Sequence, residues 1–375
     1  MRPFAAALFA LLSACSTTGT PQQIAAPVEV LDDGRAARLQ ALVAQLARPP
    51  FATAASLSVS TGGEVSSITA GEAWAGGPAV ADETRFNQAS VSKLITAARV
   101  VALVHEGRLG LDDSVRQHLP GVRLVDAAGT DHAGSITLRQ LLQHRGGLPH
   151  QPASLDPSRV GSSWGDPALL TKLASAWSVQ LVAEPGTYRY SNLGYALLAA
   201  VTEKVEGRTF PDALDPWLAG KELPHATFRP ALLQEGAAHG SVEREGAVAF
   251  LPPGWYASSY ALPFTGLWAS TPDMVRFGRH LADAAGDPAA PLHAMTQLDT
   301  ATGHGLGPVH RSRFGMRSLE HDGAGPGFLA WLVVIPERDL VLAVACNTDG
   351  EARANGQRFA AHVNEMLQVV VEPPP

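Results

Sequence analysis

Three short runs of this chain carry residue types that could move a proton onto or off an acyl group. The first is Ser90-Val91-Ser92-Lys93. Residues three apart on a helix share a face, so the Ser90 hydroxyl and the Lys93 amine can hydrogen-bond. A hydroxyl is a weak nucleophile until a base takes its proton. An amine shielded from water can serve as that base, and a helix N-terminus favours the developing oxyanion. The motif taken alone also fits a solvated helix lysine. Because the chain holds only Lys93, Lys172, Lys204 and Lys221, a Ser-x-x-Lys would arise by chance about one time in four.

The second run, Tyr190-Ser191-Asn192, follows Pro185-Gly186 and precedes an apolar stretch from Leu193, a loop-to-helix junction. A tyrosine there can pass a proton to a leaving group, and an amide can hold a substrate carbonyl. The same residues fit a capping Asn beside a packed Tyr. The third, His321-Asp322-Gly323, stands before a strand hairpin. Its glycine would let a substrate backbone lie close against the strand edge, where backbone donors suit an oxyanion. A histidine in a surface turn is the competing reading.

These runs need a scaffold, and the hydrophobic periodicity supplies one. Leu39, Leu42, Val43 and Leu46 recur at helical spacing over residues 35–46. Residues 55–60 and 65–70, broken by Thr61-Gly62-Gly63, read as a hairpin. Helices are expected from near Ser90 and over residues 100–106, 138–144, 168–176 and 193–205, with Gly and Pro loops between them. Ser270 or Thr271 can cap a further helix whose first turn holds Pro272 and Asp273. Residues 329–335 and 340–345 form a second hairpin, and residues 359–371 a closing helix. Strands at both ends with helices between them predict an α/β (α+β) layer built from both termini, with a helical domain inserted.

Three weak signals in one chain order reinforce each other, and further motifs join them. Residues 84–89 (Thr-Arg-Phe-Asn-Gln-Ala) lead into Ser90, residues 106–113 (Glu-Gly-Arg-Leu-Gly-Leu-Asp-Asp) follow its helix, and residues 141–148 (Leu-Leu-Gln-His-Arg-Gly-Gly-Leu) and 185–192 (Pro-Gly-Thr-Tyr-Arg-Tyr-Ser-Asn) complete the set. With these the sequence resembles the serine β-lactamase and D-alanyl-D-alanine carboxypeptidase superfamily over residues 52–350, closest to its class C β-lactamase, D-aminopeptidase and esterase branch. The resemblance implies an antiparallel sheet flanked by helices with an inserted all-helical domain. It makes Ser90 the acylated residue, Lys93 its activating partner, Tyr190 the general base and acid, and Asn192 a contact for the substrate amide. It sets His321 where many relatives have lysine, and makes the N–H groups of Ser90 and Ala324 an oxyanion hole.

Asp322 departs from the family pattern, in which Thr or Ser meets a substrate carboxylate. If Asp322 faces the pocket, it disfavours penicillins and D-alanine termini and leaves neutral esters or amine-bearing amides as substrates. The expected function is hydrolysis of an amide or ester through a Ser90 acyl-enzyme, as a D-amino-acid peptidase, an esterase or a weak β-lactamase. A slowly acylating or non-catalytic penicillin-binding sensor on the same fold is the alternative. Gly161-Ser162-Ser163-Trp164-Gly165 matches another hydrolase signature, yet lacks the preceding strand which that chemistry needs. None of the 13 histidines pair as H-x-H or H-E-x-x-H, so no metal is expected, and no cofactor.

The chain has 375 residues, 46% of them hydrophobic and 17% charged, enough to bury a large core. A formal charge of −7 gives no basic field for nucleic acid, so the expected partner is a small-molecule or peptide substrate. Arg2, the short apolar run over residues 4–12 and the small residues Ser13 and Ala14 read as an export signal too short to span a bilayer. Leu12-Ser13-Ala14-Cys15 resembles the bacterial lipobox, which implies cleavage before Cys15 and its lipidation; an ordinary signal peptide is the other reading. The expected divisions are a signal at 1–14, a tether at 15–34, an α/β domain from 35–110 and 236–375, and the inserted helical domain at 111–235. An exported, membrane-anchored protein facing the periplasm or cell surface follows. Cys346, the other of two cysteines, sits in an apolar run and is expected to pack in the core.

Overall fold

A computed structural model describes residues 32–151 and 177–372, apart from residues 231–232, 234–235, 245–246, 257–259 and 300–301. The expectations for the export signal, for Cys15, for a helix at 168–176 and for Ser163 lie outside the described residues.

Six strands form one antiparallel sheet in the order β2-β1-β12-β11-β10-β9. They are β1 (Ala54–Thr61), β2 (Glu64–Gly71), β9 (Val309–Arg313), β10 (Met316–Gly325), β11 (Phe328–Ile335) and β12 (Leu340–Cys346). The two termini of the folded region thus meet in one sheet, with Leu57 opposite Val344. Side chains alternate across a strand. Along β11, Leu329, Trp331, Val333 and Ile335 enter one apolar cluster, and Phe328, Ala330, Leu332 and Val334 enter the other. Every residue of β11 and β12 is buried, as strands covered on both faces must be.

Helices α1 (Asp33–Leu46) and α9 (Arg353–Val371) cover one face through Leu39, Leu42, Val43, Phe359, Val363 and Met366, and the buried free Cys346 packs among them. Asp32 caps α1 by accepting the Arg35 N–H at 2.8 Å. Residues 33 and 34, expected to close a tether, therefore belong to the helix. The other face receives α8 (Thr271–Gly286), capped by Ser270, with Met274, Phe277 and Leu281 in the same cluster as Leu332 and Val334. The serines of β1 are buried here. Ser56 and Ser58 bond the Thr271 hydroxyl at 2.6 and 2.8 Å, which satisfies three hydroxyls that would otherwise be stranded.

That second cluster continues without a break into the helices around the three motifs. They are α2 (Ser92–His105), α3 (Val115–His118), α4 (Leu138–Leu142), α5 (Asn192–Glu206), α6 (Phe210–Ala219) and α7 (Leu262–Thr265). The expected separate helix at 100–106 is the second half of α2. Among the described residues, three further short pairs occur: β3 (Phe86–Asn87) with β8 (Trp268–Ala269), the parallel pair β4 (Arg123–Val125) and β5 (Ser178–Gln180) within the mainly helical segment, and the hairpin β6 (Gly240–Arg244) and β7 (Ala247–Leu251).

Candidate active site

Ser90 lies in a single tight turn, Ala89–Val91, that feeds α2. The preceding Ala89 has φ 42, a conformation that L-residues avoid and that persists only where surroundings enforce it. Asn87 and Gln88 enforce it. Asn87 accepts the Ala89 N–H at 2.9 Å and donates to the Thr265 carbonyl at 2.9 Å. Gln88 donates its amide to the carbonyls of Phe86 and Ala269, both at 3.1 Å. The run before the serine is therefore a clamp that fixes the turn.

One helical turn on, the Lys93 amine donates to Ser90 Oγ at 3.1 Å and to the Phe264 carbonyl at 3.1 Å. It is fully buried, with the rings of Tyr190, Phe264 and Tyr195 4.9, 5.4 and 5.8 Å from its nitrogen. Burial holds its pKa well below the ordinary lysine range, and the Asp322 charge opposes that shift. The solvated-lysine alternative is excluded by this geometry. Tyr190 approaches from the start of α5, and its side chain hydrogen-bonds Ser90. Burial pushes the phenol well above its ordinary pKa; the Ser90 bond opposes this and the Asp322 charge adds to it. The amine is thus favoured as neutral base and the phenol as neutral acid, with the serine between them.

Ser191 caps α5 by accepting the Gly194 N–H at 3.1 Å, a role the sequence reading allowed to Asn192. Asn192 keeps its side chain for something else. Its Oδ1 is buried with no hydrogen-bond partner among the described residues, which leaves an acceptor for a ligand N–H.

His321, Asp322, Gly323 and Ala324 lie within β10, paired directly with β11 so that His321 stands opposite Leu332, and not in a turn ahead of the expected hairpin. β9 pairs only with residues 316–320 of β10, so from His321 onward that edge is open beside Ser90. A Cβ on Gly323 would sit 2.4 Å from the Gln88 carbonyl and 3.2 Å from the Ser90 nitrogen. The missing side chain thus admits the nucleophile's own turn against the strand. The strand edge carrying Ala324 consequently passes close to the Ser90 N–H, an arrangement in which two N–H groups can converge on one oxygen. The Ala324 side chain packs against the α1/α9 cluster.

His321 donates from Nδ1 to the Asp322 carbonyl at 2.7 Å, with its ring 6.5 Å from Tyr190. Burial, and then the nearby Lys93 charge, depress its pKa to about 3. It supplies a neutral imidazole where a lysine would supply charge. Asp322 does not confront the pocket as a bare carboxylate. Strand alternation turns it to the face opposite Gly323, where Oδ1 accepts from Arg311 at 3.2 Å. Burial raises its pKa and Arg311 opposes that. The repulsion expected of Asp322 is accordingly offset by a partner eleven residues earlier.

Several residues around the site had no assigned role in the sequence reading. His144 and His150 flank Tyr190, with ring centroids at 4.3 and 5.9 Å. Tyr188 meets His304 at 4.5 Å. Burial lowers His150 and His304 to about 4. The available signal was the run over residues 141–148, which marked a motif without saying what it held. Among the described residues, no group of three or more His, Cys, Asp or Glu is placed to hold a metal ion.

A helix-borne serine, a buried amine one turn along and a phenol from a second helix start, set against a covered antiparallel sheet, define the β-lactamase/transpeptidase class of serine hydrolase folds. The chain belongs to the Beta-lactamase family, whose model matches residues 39–365. It is 30% identical over 320 residues to Penicillin-binding protein 4 of Amycolatopsis lactamdurans, covering 78% of this chain and 80% of that one. SurE solved with D-Leu is 26% identical, with a TM-score of 0.70 over 92% of this chain and 78% of that one. A D-stereospecific amidohydrolase from Streptomyces sp. is 25% identical, with a TM-score of 0.66 over 88% of this chain and 98% of that one.

Proposed function

We propose that this protein hydrolyses amides of D-amino-acid derivatives through an ester formed on Ser90. The observation that carries the reading is the Lys93 amine, fully buried and 3.1 Å from Ser90 Oγ, with the Tyr190 side chain bonded to the same serine. In the acylation step Ser90 Oγ attacks the substrate carbonyl and its proton passes to the neutral Lys93 amine. Tyr190 gives its proton to the leaving nitrogen as the carbon–nitrogen bond breaks, and the Lys93 ammonium restores it. Water then attacks the ester with the same groups working in reverse. The N–H groups of Ser90 and Ala324 take the oxyanion, and Asn192 Oδ1 accepts the substrate's amide N–H. A substrate class of D-configured amides is supported by two relatives, one solved with D-Leu and one described as a D-stereospecific amidohydrolase. The protein acts outside the cytoplasm, held to a membrane by lipid on Cys15, and Cys15→Ala is expected to release it into the soluble fraction; retention in membranes argues against the anchor.

The form lacking residues 1–15 is assayed against D-amino-acid amides and D-alanyl peptides, nitrocefin, and p-nitrophenyl acetate and butyrate. Turnover of the D-amides that disappears in Ser90→Ala, and falls by orders of magnitude in Lys93→Ala and Tyr190→Phe, is the expected result. Full activity in Ser90→Ala overturns the assignment. Stable fluorophosphonate or penicillin labelling of Ser90 without turnover of any substrate favours a sensor that acylates and stops.

A further inference from the structure

We propose that His144 is a positioning residue that sets Tyr190 and Asn192 in register with Ser90 by clamping the backbone on both sides of the tyrosine. This rests on the acyl-enzyme reading above and adds to it. The observation is a pair of hydrogen bonds from one residue. The His144 carbonyl accepts the Arg189 N–H at 2.7 Å, and its Nδ1 accepts the Ser191 N–H at 3.1 Å. Tyr190 stands between those two donors. The imidazole also lies against it, with centroids 4.3 Å apart and planes tilted by 33°, and has Tyr195 on another side at 5.1 Å.

The clamp has its own support. Arg145 accepts the Gly186 N–H at 2.7 Å and returns its guanidinium to the Gly186 carbonyl at 2.8 Å. Gly147, at φ 68, accepts the Val182 N–H at 2.9 Å, and a Cβ there would strike the Ala183 carbonyl at 2.2 Å. Pro149 accepts the Ser191 hydroxyl at 2.7 Å, and His150 the Asn192 N–H at 3.0 Å. Residues 144–150 are therefore a template along which residues 182–192 are laid. His144 alone in that template binds with both backbone and side chain on either side of Tyr190. It does so at φ 57, a conformation in which His, Asn and Gly are the tolerated residues.

An Nδ1 that accepts must carry no proton, which fixes the tautomer with hydrogen on Nε2. His144 is 3% exposed, and burial together with His304, Lys93, His321 and His150 around it keeps it neutral. A buried Ser191 N–H without this acceptor would have to move to find another, carrying Tyr190 and Asn192 with it.

His144→Asn and His144→Gly separate the clamp from mere packing, because both residues adopt the left-handed backbone and only Asn offers an oxygen where Nδ1 stood. The rate of Ser90 labelling by a fluorophosphonate, with thermal unfolding measured alongside, is expected to fall about 100-fold in the Gly variant, the scale of a misplacement of about 1 Å. In the Asn variant it is expected to stay within about tenfold of wild type. Equal losses in the two variants, or wild-type rates in both, overturn the proposal. Imidazole 15N spectra of the unmutated protein give an independent readout, with the His144 signals identified by their loss in the Asn variant. Nδ1 unprotonated at pH 7 supports the clamp and a protonated Nδ1 refutes it, whether or not the Gly variant folds. A wild-type protein that never labels refutes the acyl-enzyme reading instead, and the spectra still decide this one.

Discussion

Replacing Gly323 with alanine tests whether the strand edge seats the nucleophile. The added methyl would lie 2.4 Å from the Gln88 carbonyl oxygen, with Ala89 Cβ and the Ser90 nitrogen each at 3.2 Å. Carbon–oxygen contacts of this kind settle near 3.3 Å, so roughly 1 Å must be found. The obstructing atom is backbone, and the turn around it is pinned by Asn87 and Gln88 through four hydrogen bonds. Neither partner can yield by rotating a side chain. The expected cost is about 1–3 kcal/mol of stability from overpacking. A shift approaching 1 Å at Ser90 lowers acylation about 100-fold. The assay is the second-order rate of Ser90 labelling by a fluorophosphonate, read by intact mass, beside thermal unfolding. Gly325→Ala is the control, since its Cβ would meet nothing nearer than Ala89 Cβ at 3.4 Å, and it is expected to label within a few-fold of wild type. Labelling of the Gly323 variant at the wild-type rate, with unchanged melting, would refute the reasoning, because the strand would then absorb a methyl without moving the serine.

Three further outcomes follow from the same geometry. In Lys93→Met the protein gains stability relative to wild type at pH 7 and loses that advantage as pH rises toward 10.5: the unfolded lysine keeps its proton up to its ordinary range and the buried one does not. Urea midpoints at pH 7, 9 and 10.5 check this, and a pH-independent difference contradicts it. His150, His304 and His310 at about 4, and His321 at about 3, bind protons less readily folded than unfolded. Stability therefore falls between pH 6.5 and 4 by an amount on the order of several kcal/mol; equal urea midpoints at pH 7 and pH 5 would count against it. Asp322→Thr leaves Arg311 with Glu320, 3.9 Å away, as its remaining acidic neighbour among these. The kcat/KM ratio for carboxylate-terminated over neutral D-alanyl substrates is expected to rise roughly tenfold, one interaction of about 1.4 kcal/mol, and to return when Arg311→Gln is added; an unchanged ratio removes Asp322 from specificity.

What the sequence determined by itself was whatever short-range spacing encodes. Ser90 and Lys93 share a face because a helix turns every 3.6 residues, and the structure joins them at 3.1 Å. The continuous apolar runs over residues 329–335 and 340–345 gave two neighbouring strands whose ends match to within a residue, because a covered sheet needs apolar side chains on both faces. Cys346, read as core, is core. A cap at Ser270 or Thr271 was legible because a hydroxyl there satisfies a free N–H in the next turn, and the structure gives the role to Ser270.

Tertiary structure decided the rest, because long-range contacts leave no period in the chain. His321-Asp322-Gly323 alternates poorly with its surroundings, so the sequence left it outside the strands; Glu320 held by Arg313 and the Trp331 indole keeps β10 in the sheet all the same. The partner of Asp322 is on a neighbouring strand, and the partner of Gly323 is a carbonyl more than two hundred residues away. His144, expected to end the helix over residues 138–144, lies beyond the helix end at Leu142 with φ 57, and its two hydrogen bonds bracket Tyr190. The same holds for the chemistry of Lys93 and Tyr190. A side chain's ordinary pKa belongs to its type, while the shift that makes the amine a base and keeps the phenol an acid comes from burial, which only the packed chain creates.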